Sequence, residues 1–120
     1  MKVCLEKIFR QPIDGVKIQL KLKPNSSYTA TIRKNKIIPY VPCDTFFGAN
    51  DVVLEEYFHV FEQWNTGRMN RFNYVLHDPH GHDQNPFEQE ADNFSKTHLP
   101  DFEKCLKCEK SKYSFSFYMF

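Results

Sequence analysis

The clearest pattern of apolar and polar positions runs from Asn50 to Gly67. At helical pitch Val53, Leu54, Tyr57, Phe58, Val60, Phe61 and Trp64 share one broad stripe. Asp51, Glu55, Glu56, His59, Glu62 and Gln63 fall on the other side, and only Val52 breaks the division. Acidic residues in the first turns suit the positive end of the helix dipole, and Gly67 stands where a C-terminal cap belongs. The spacing predicts one long amphipathic helix whose apolar side needs a covering surface.

Other stretches alternate with period two. Val16, Ile18, Leu20 and Leu22 oppose Lys17, Gln19, Lys21 and Lys23, which predicts a strand with its apolar row inward. Pro24-Asn25-Ser26 breaks the run. A second strand from Ser27 to Lys34 turns Tyr28, Ala30 and Ile32 inward, so a hairpin is the economical reading. Asn35 turns the chain into a short extended piece from Lys36 to Val41. Residues 1–9, Arg71 to His77 and Lys112 to Phe120 also read as strands, the last with Tyr113, Phe115, Phe117 and Met119 inward. Pro42 to Ala49 reads as a loop into the main helix. A second helix has Asn85 as N-cap, Pro86 in first position and Glu88 three residues after the cap, and Pro100 ends it. A short helical turn from Asp101 to Glu109 follows. The resulting fold class is α+β in a single domain, 1–120. An antiparallel sheet of four to six strands carries the long helix on one face, with one or two short helices in the C-terminal half.

Composition changes this picture little. At 120 residues there is room for one modest core, and twelve Phe with six Tyr carry much of it. No apolar run approaches the roughly 20 residues that span a bilayer. Lys2, Glu6 and Lys7 make the N-terminus unlike a signal peptide. A cytoplasmic protein with no membrane partner and reduced thiols is therefore expected. Abundant Phe, Lys and Asn beside scarce Ala fit an AT-rich coding bias of viral or phage type.

Charge changes it more. The net of +1 conceals a segregation. Residues 1–41 hold nine Lys or Arg against Glu6 and Asp14, a net of +7. Residues 42–103 hold twelve Asp or Glu against Arg68, Arg71 and Lys96, a net of −9. One basic and one acidic side are expected. The leading expectation is a small intracellular protein-binding module, an inhibitor or adaptor, with another protein as partner. Its contact surface would be Glu55, Glu56 and Glu62 on the outer helix face, with Phe46 and Phe47 exposed beside it. Such a face could imitate a phosphate array and block a nucleic-acid-processing partner. The ordinary reading is a solvated helix face, with both Phe packed at the helix entrance. An alternative is a nucleic-acid-binding module that uses Lys17, Lys21, Lys23, Arg33 and Lys34 as phosphate contacts. The ordinary reading there is a wet sheet face.

No residue is assigned a catalytic role, and no cofactor is expected beyond one candidate zinc. Cys105 and Cys108 form a C-x-x-C pair, half of many zinc sites. His80 and His82 on the His77 to Gln84 loop would complete it, with Cys4 and Cys43 as other donors. The ordinary readings are a half-buried helical pair and a polar turn. The order of a His after a strand, then Asn85 or Asn93, then C-x-x-C before Lys112, resembles an HNH-type nuclease arrangement. No double Gly follows the first His, and Glu109 stands where a His often follows the second Cys. The resemblance implies a metal-dependent nuclease with His77 or His80 as general base and a divalent ion on the phosphate.

Overall fold

The helix expected at Asn50 forms, and the rest of the chain is built around it. The computed structural model describes the backbone of residues 1–76 and 84–119 and the side chains of 1–74 and 84–111. The chain begins with α1 (Lys2–Phe9), a helix and not the expected strand. Cys4, Leu5 and Phe9 are its buried residues, a spacing of one and then four that marks a helical face. Arg10 ends it in the left-handed region at φ 57°, with its N–H reaching the Glu6 carbonyl.

The sheet is mixed and three-stranded, with β1 (Lys17–Ile18), β2 (Ala30–Arg33) and β3 (Lys36–Pro39) in the order β1-β3-β2. It replaces the expected antiparallel sheet of four to six strands. β2 and β3 form a hairpin turned at Lys34-Asn35, where Asn35 takes φ 53°. That hairpin leaves the far side of β3 open, and β1 fills it in parallel, in the register Lys17 to Lys36 and Ile18 to Ile37. The expected hairpin between residues 16–23 and 27–34 therefore does not form. Three other expected strands are helical, which removes them from the sheet.

The segment expected as a loop contains α2 (Cys43–Gly48). Phe46 is fully buried there, and Phe47 meets it edge-on with ring centroids 5.0 Å apart. The main helix is α3 (Asn50–Phe58), continued without a break as a π-helix (His59–Trp64). The Asn65 N–H bonds the Val60 carbonyl, five residues back. His59 and Gln63, expected on the polar side, are both buried here.

Asn70 starts α4 (Arg71–Leu76), its side chain accepting the Asn73 N–H at 2.8 Å. A strand had been expected there, and Phe72 is 71% exposed on the helix instead. α5 (Pro86–Met119) begins as the sequence indicates, with the Asn85 side chain accepting the Phe87 N–H at 2.9 Å. It does not end at Pro100. Proline removes one intrahelical bond, but Ala91 and Ser95 before it and Phe102 after it are buried, so packing carries the helix through. The Ser95 hydroxyl also donates to the Asp51 carbonyl of α3 at 2.9 Å. Past Pro100 neither Gly nor Pro interrupts the run to Met119, and propagation costs less than a new nucleus. The backbone of the expected closing strand is thus the end of α5.

α3 packs mainly against α5, and α2 also meets it. Phe9 of α1, Phe58 and Phe61 of the long helix, and Phe94 of α5 meet in one aromatic cluster with centroids 4.7–5.3 Å apart. A disulfide joins Cys4 to Cys105, tying α1 to α5 where their Cα atoms lie 5.8 Å apart. It corrects the expectation of reduced thiols throughout. Among the described residues no helix is long and apolar enough to cross a membrane.

Candidate functional site

A cavity of about 590 Å³ lies between residues 27–33, at β2, and the long helix. Val52, Glu55, Glu56 and His59 line it from the helix, with Trp64 and Met69 beyond. Arg71 and Tyr74 from α4 and Glu88 from α5 complete the wall.

Its chemistry centres on His59, which is 3% exposed. The Gln63 amide donates through Nε2 to the Phe87 carbonyl at 2.9 Å, so its Oε1 faces His59 Nδ1 at 2.6 Å. Glu88 Oε2 lies 3.1 Å from His59 Nε2. Both ring nitrogens thus meet acceptors, and an imidazolium satisfies both. Burial alone pushes the His59 pKa down. The Glu88 hydrogen bond, the charges of Glu56 and Glu88, and the Gln63 bond outweigh it and raise the pKa to about 9. The Tyr74 hydroxyl donates to Glu88 Oε1 at 3.2 Å, which holds that carboxylate in place.

Glu55 and Glu56 are in a different condition. Both are partly buried, and among the described residues neither carboxyl group makes a hydrogen bond or an ion pair. Burial raises Glu55 to about 7, reinforced by Asp92, Asp51 and Glu88 and opposed by His59. Burial raises Glu56 to about 8, reinforced by Glu88 and Glu55 and again opposed by His59. Among the charges that act on Glu55 and Glu56, His59 is the one that favours ionisation, although Arg33 and Arg71 also line the cavity. Arg33, from the sheet side of the cavity, makes other contacts: its guanidinium lies 5.6 Å over the Trp64 ring and donates to the Ile32 carbonyl. Arg68 grips Glu90 through both terminal nitrogens, at 2.8 and 2.6 Å, which holds the Glu90 carboxyl below its usual range.

The residues singled out in the sequence are partly reunited. Glu55 and Glu56 line the cavity, while Glu62 does not. Phe46 is in the core and Phe47 packs against it, so these two residues are not exposed aromatics beside the acidic face. The reason is that α2 folds its apolar side onto α3. Lys17, Lys21 and Lys23 are exposed, as is Lys34 at the hairpin turn. Register places Lys17, Lys36 and Arg33 side by side on one sheet face. Cys105 is bound to Cys4, while Cys108 is free and exposed. Zinc on Cys105 and Cys108 is therefore open only to the reduced chain. His77, His80 and His82 lie outside the described residues. Among the described residues no group of three or more His, Cys, Asp or Glu is arranged to hold a metal ion.

Sequence reasoning missed His59, Gln63 and Glu88 as one network. His59 and Gln63 are four apart, as helical neighbours must be, but nothing local says that α5 covers them. Comparison with family models, with curated proteins and with solved structures finds no match for this chain.

Proposed function

We propose that this chain is a protein-binding module whose acidic cavity receives a lysine or arginine side chain of its partner. The observation that supports it is the pair Glu55 and Glu56, two carboxyl groups in one cavity that make no ion pair or hydrogen bond among the described residues. A cationic head entering there offsets the burial that keeps both groups protonated. The cavity wall also carries Val52, Trp64 and Met69, which suit the aliphatic stem of such a side chain. Its volume leaves room for residues flanking the cation. The acidic helix face remains the contact surface on this reading, as a receptor and not as an exposed mimic of phosphate. The chain would act inside a cell as an adaptor or inhibitor that captures a basic segment.

Trp64 is the single tryptophan and lines the cavity, so its fluorescence reports occupancy. An arginine-containing peptide should give a saturable change, and its citrulline counterpart, neutral but of the same shape, a much weaker one. The change should vanish in the Glu55→Gln, Glu56→Gln double variant. Equal binding of the two peptides would sink the reading.

A further inference from the structure

The run from Lys17 to Asn25 is exposed at every residue, although it is held to the sheet. The N–H groups of Lys17, Gln19 and Lys21 bond the carbonyls of Asn35, Ile37 and Pro39. The Lys23 N–H then reaches the Tyr40 carbonyl. An extended edge therefore continues past the two residues of β1. Because bonding alternates along a strand, the backbone groups of Ile18, Leu20 and Leu22 point away from β3, at an edge that no other strand among the described residues pairs.

The side chains of this edge are two-sided. Ile18 pairs with Ile37 and shares the apolar sheet face on which Ile37 and Ile32 are buried. Only Val16 of that row reaches the core, and Ile18, Leu20 and Leu22 are 37, 47 and 59% exposed. The opposite face carries Lys17, Lys21 and Lys23. Isolated exposed apolar residues are ordinary, but a row of three on an unpaired edge is a template for another strand.

A second copy is a poor occupant. Antiparallel self-pairing centred on Leu20 sets Lys17 opposite Lys23. Centring it on Gln19 sets Lys17 opposite Lys21, and centring it on Lys21 sets that residue opposite itself. Like charges directly across a ladder repel. A nucleic acid would use the lysine face alone and leave the apolar row and the backbone edge uncovered.

We infer that this edge binds an extended peptide segment of alternating apolar and acidic residues, which adds to the sheet as a fourth strand beside β1. Backbone bonds to Ile18, Leu20 and Leu22 supply the pairing. The apolar residues of the peptide cover that row, and its carboxylates meet Lys17, Lys21 and Lys23. The surface is separate from the acidic cavity and takes a segment of opposite charge.

The test uses the whole chain and a synthetic heptapeptide alternating glutamate and valine. Amide hydrogen exchange should slow at Ile18, Leu20 and Leu22 when the peptide is added. A peptide with lysine in place of glutamate should bind at least about tenfold more weakly, since each cross-strand charge pair changes from attraction to repulsion. Leu20→Pro removes an N–H that the sheet does not use, so the fold should persist by circular dichroism while the protection is lost. Lys21→Glu should narrow or reverse the preference between the two peptides. Equal binding of the lysine peptide overturns the proposal, as does undiminished binding by Leu20→Pro. Protection that grows with protein concentration alone would assign the edge to a second copy. Protection of the same amides by an oligothymidine would assign it to nucleic acid.

Discussion

Replacing Glu56 by Gln should make the folded chain more stable at pH 8 and leave it nearly unchanged near pH 4.5. Burial, with help from Glu88 and Glu55 and against His59, keeps the Glu56 carboxyl protonated to about 8. In the unfolded chain it ionises near its ordinary 4.5. Between those values the folded state holds a proton that the unfolded state has released. Stability therefore falls as pH rises through the window, by up to about 1.4 kcal/mol per pH unit. Gln has the shape of the protonated acid and no proton to lose, so the variant escapes that fall. Partial exposure of the carboxyl and its coupling to His59 reduce the expected gain at pH 8 to about 2–3 kcal/mol. His59 acts in the same direction in both proteins: with a folded pKa of about 9 its contribution is full below 6.5 and lost as pH rises through 9. The variant also removes the charge that helps to hold the His59 proton, which narrows the gap at the alkaline end. Urea denaturation at several pH values, followed by Trp64 fluorescence, measures the two curves. Parallel curves, or a variant less stable at pH 8, would refute this account of the cavity.

Three further outcomes follow from the same packing. Gln63→Leu removes the acceptor of the buried His59 Nδ1–H and the amide that donates to the Phe87 carbonyl, and should cost about 2–4 kcal/mol in urea denaturation; a neutral result would mean the network is not closed as described. Cys4→Ser should cost about 2–4 kcal/mol, because the disulfide closes a loop with a sequence separation of 101. Reductant should lower the stability of the parent chain by a similar amount in urea denaturation and leave the variant unmoved. Phe46→Ala should cost about 3–5 kcal/mol as a core truncation, whereas a loss under about 1 kcal/mol would place Phe46 at the surface.

How far the fold could be read locally depended on how long each pattern was. The seven-residue stripe from Val53 to Trp64 spans more than three turns; six of its members are buried in the core, and the seventh, Trp64, is partly buried against it. Asn85 and Asn35 act through short-range chemistry, a side-chain cap and a positive φ, and both behave as their residue types imply. The short apolar runs at residues 2–9 and 71–76 are compatible with either period. There the deciding contacts are distant: Cys4 meets Cys105, and Tyr74 meets Glu88. The alternation from Val16 to Leu22 is real, but alternation only tells which residues share a face. It does not tell how far the covering helices extend, and beyond Val16 they do not reach.

The same limit governs the candidate site. Local residue order alone determined that Glu55, Glu56 and His59 would stand together on one side of a helix. It also determined that the middle of the chain would be acidic. The tertiary structure alone decided that this side is partly withdrawn from water. α5 lays Glu88 against His59 and the Phe87 carbonyl against Gln63, and β2 lines the wall opposite. Charge and period are properties of neighbours along the chain. Desolvation, which turns ordinary carboxylates into groups that titrate near 7 and 8, is set by what the fold brings from far away.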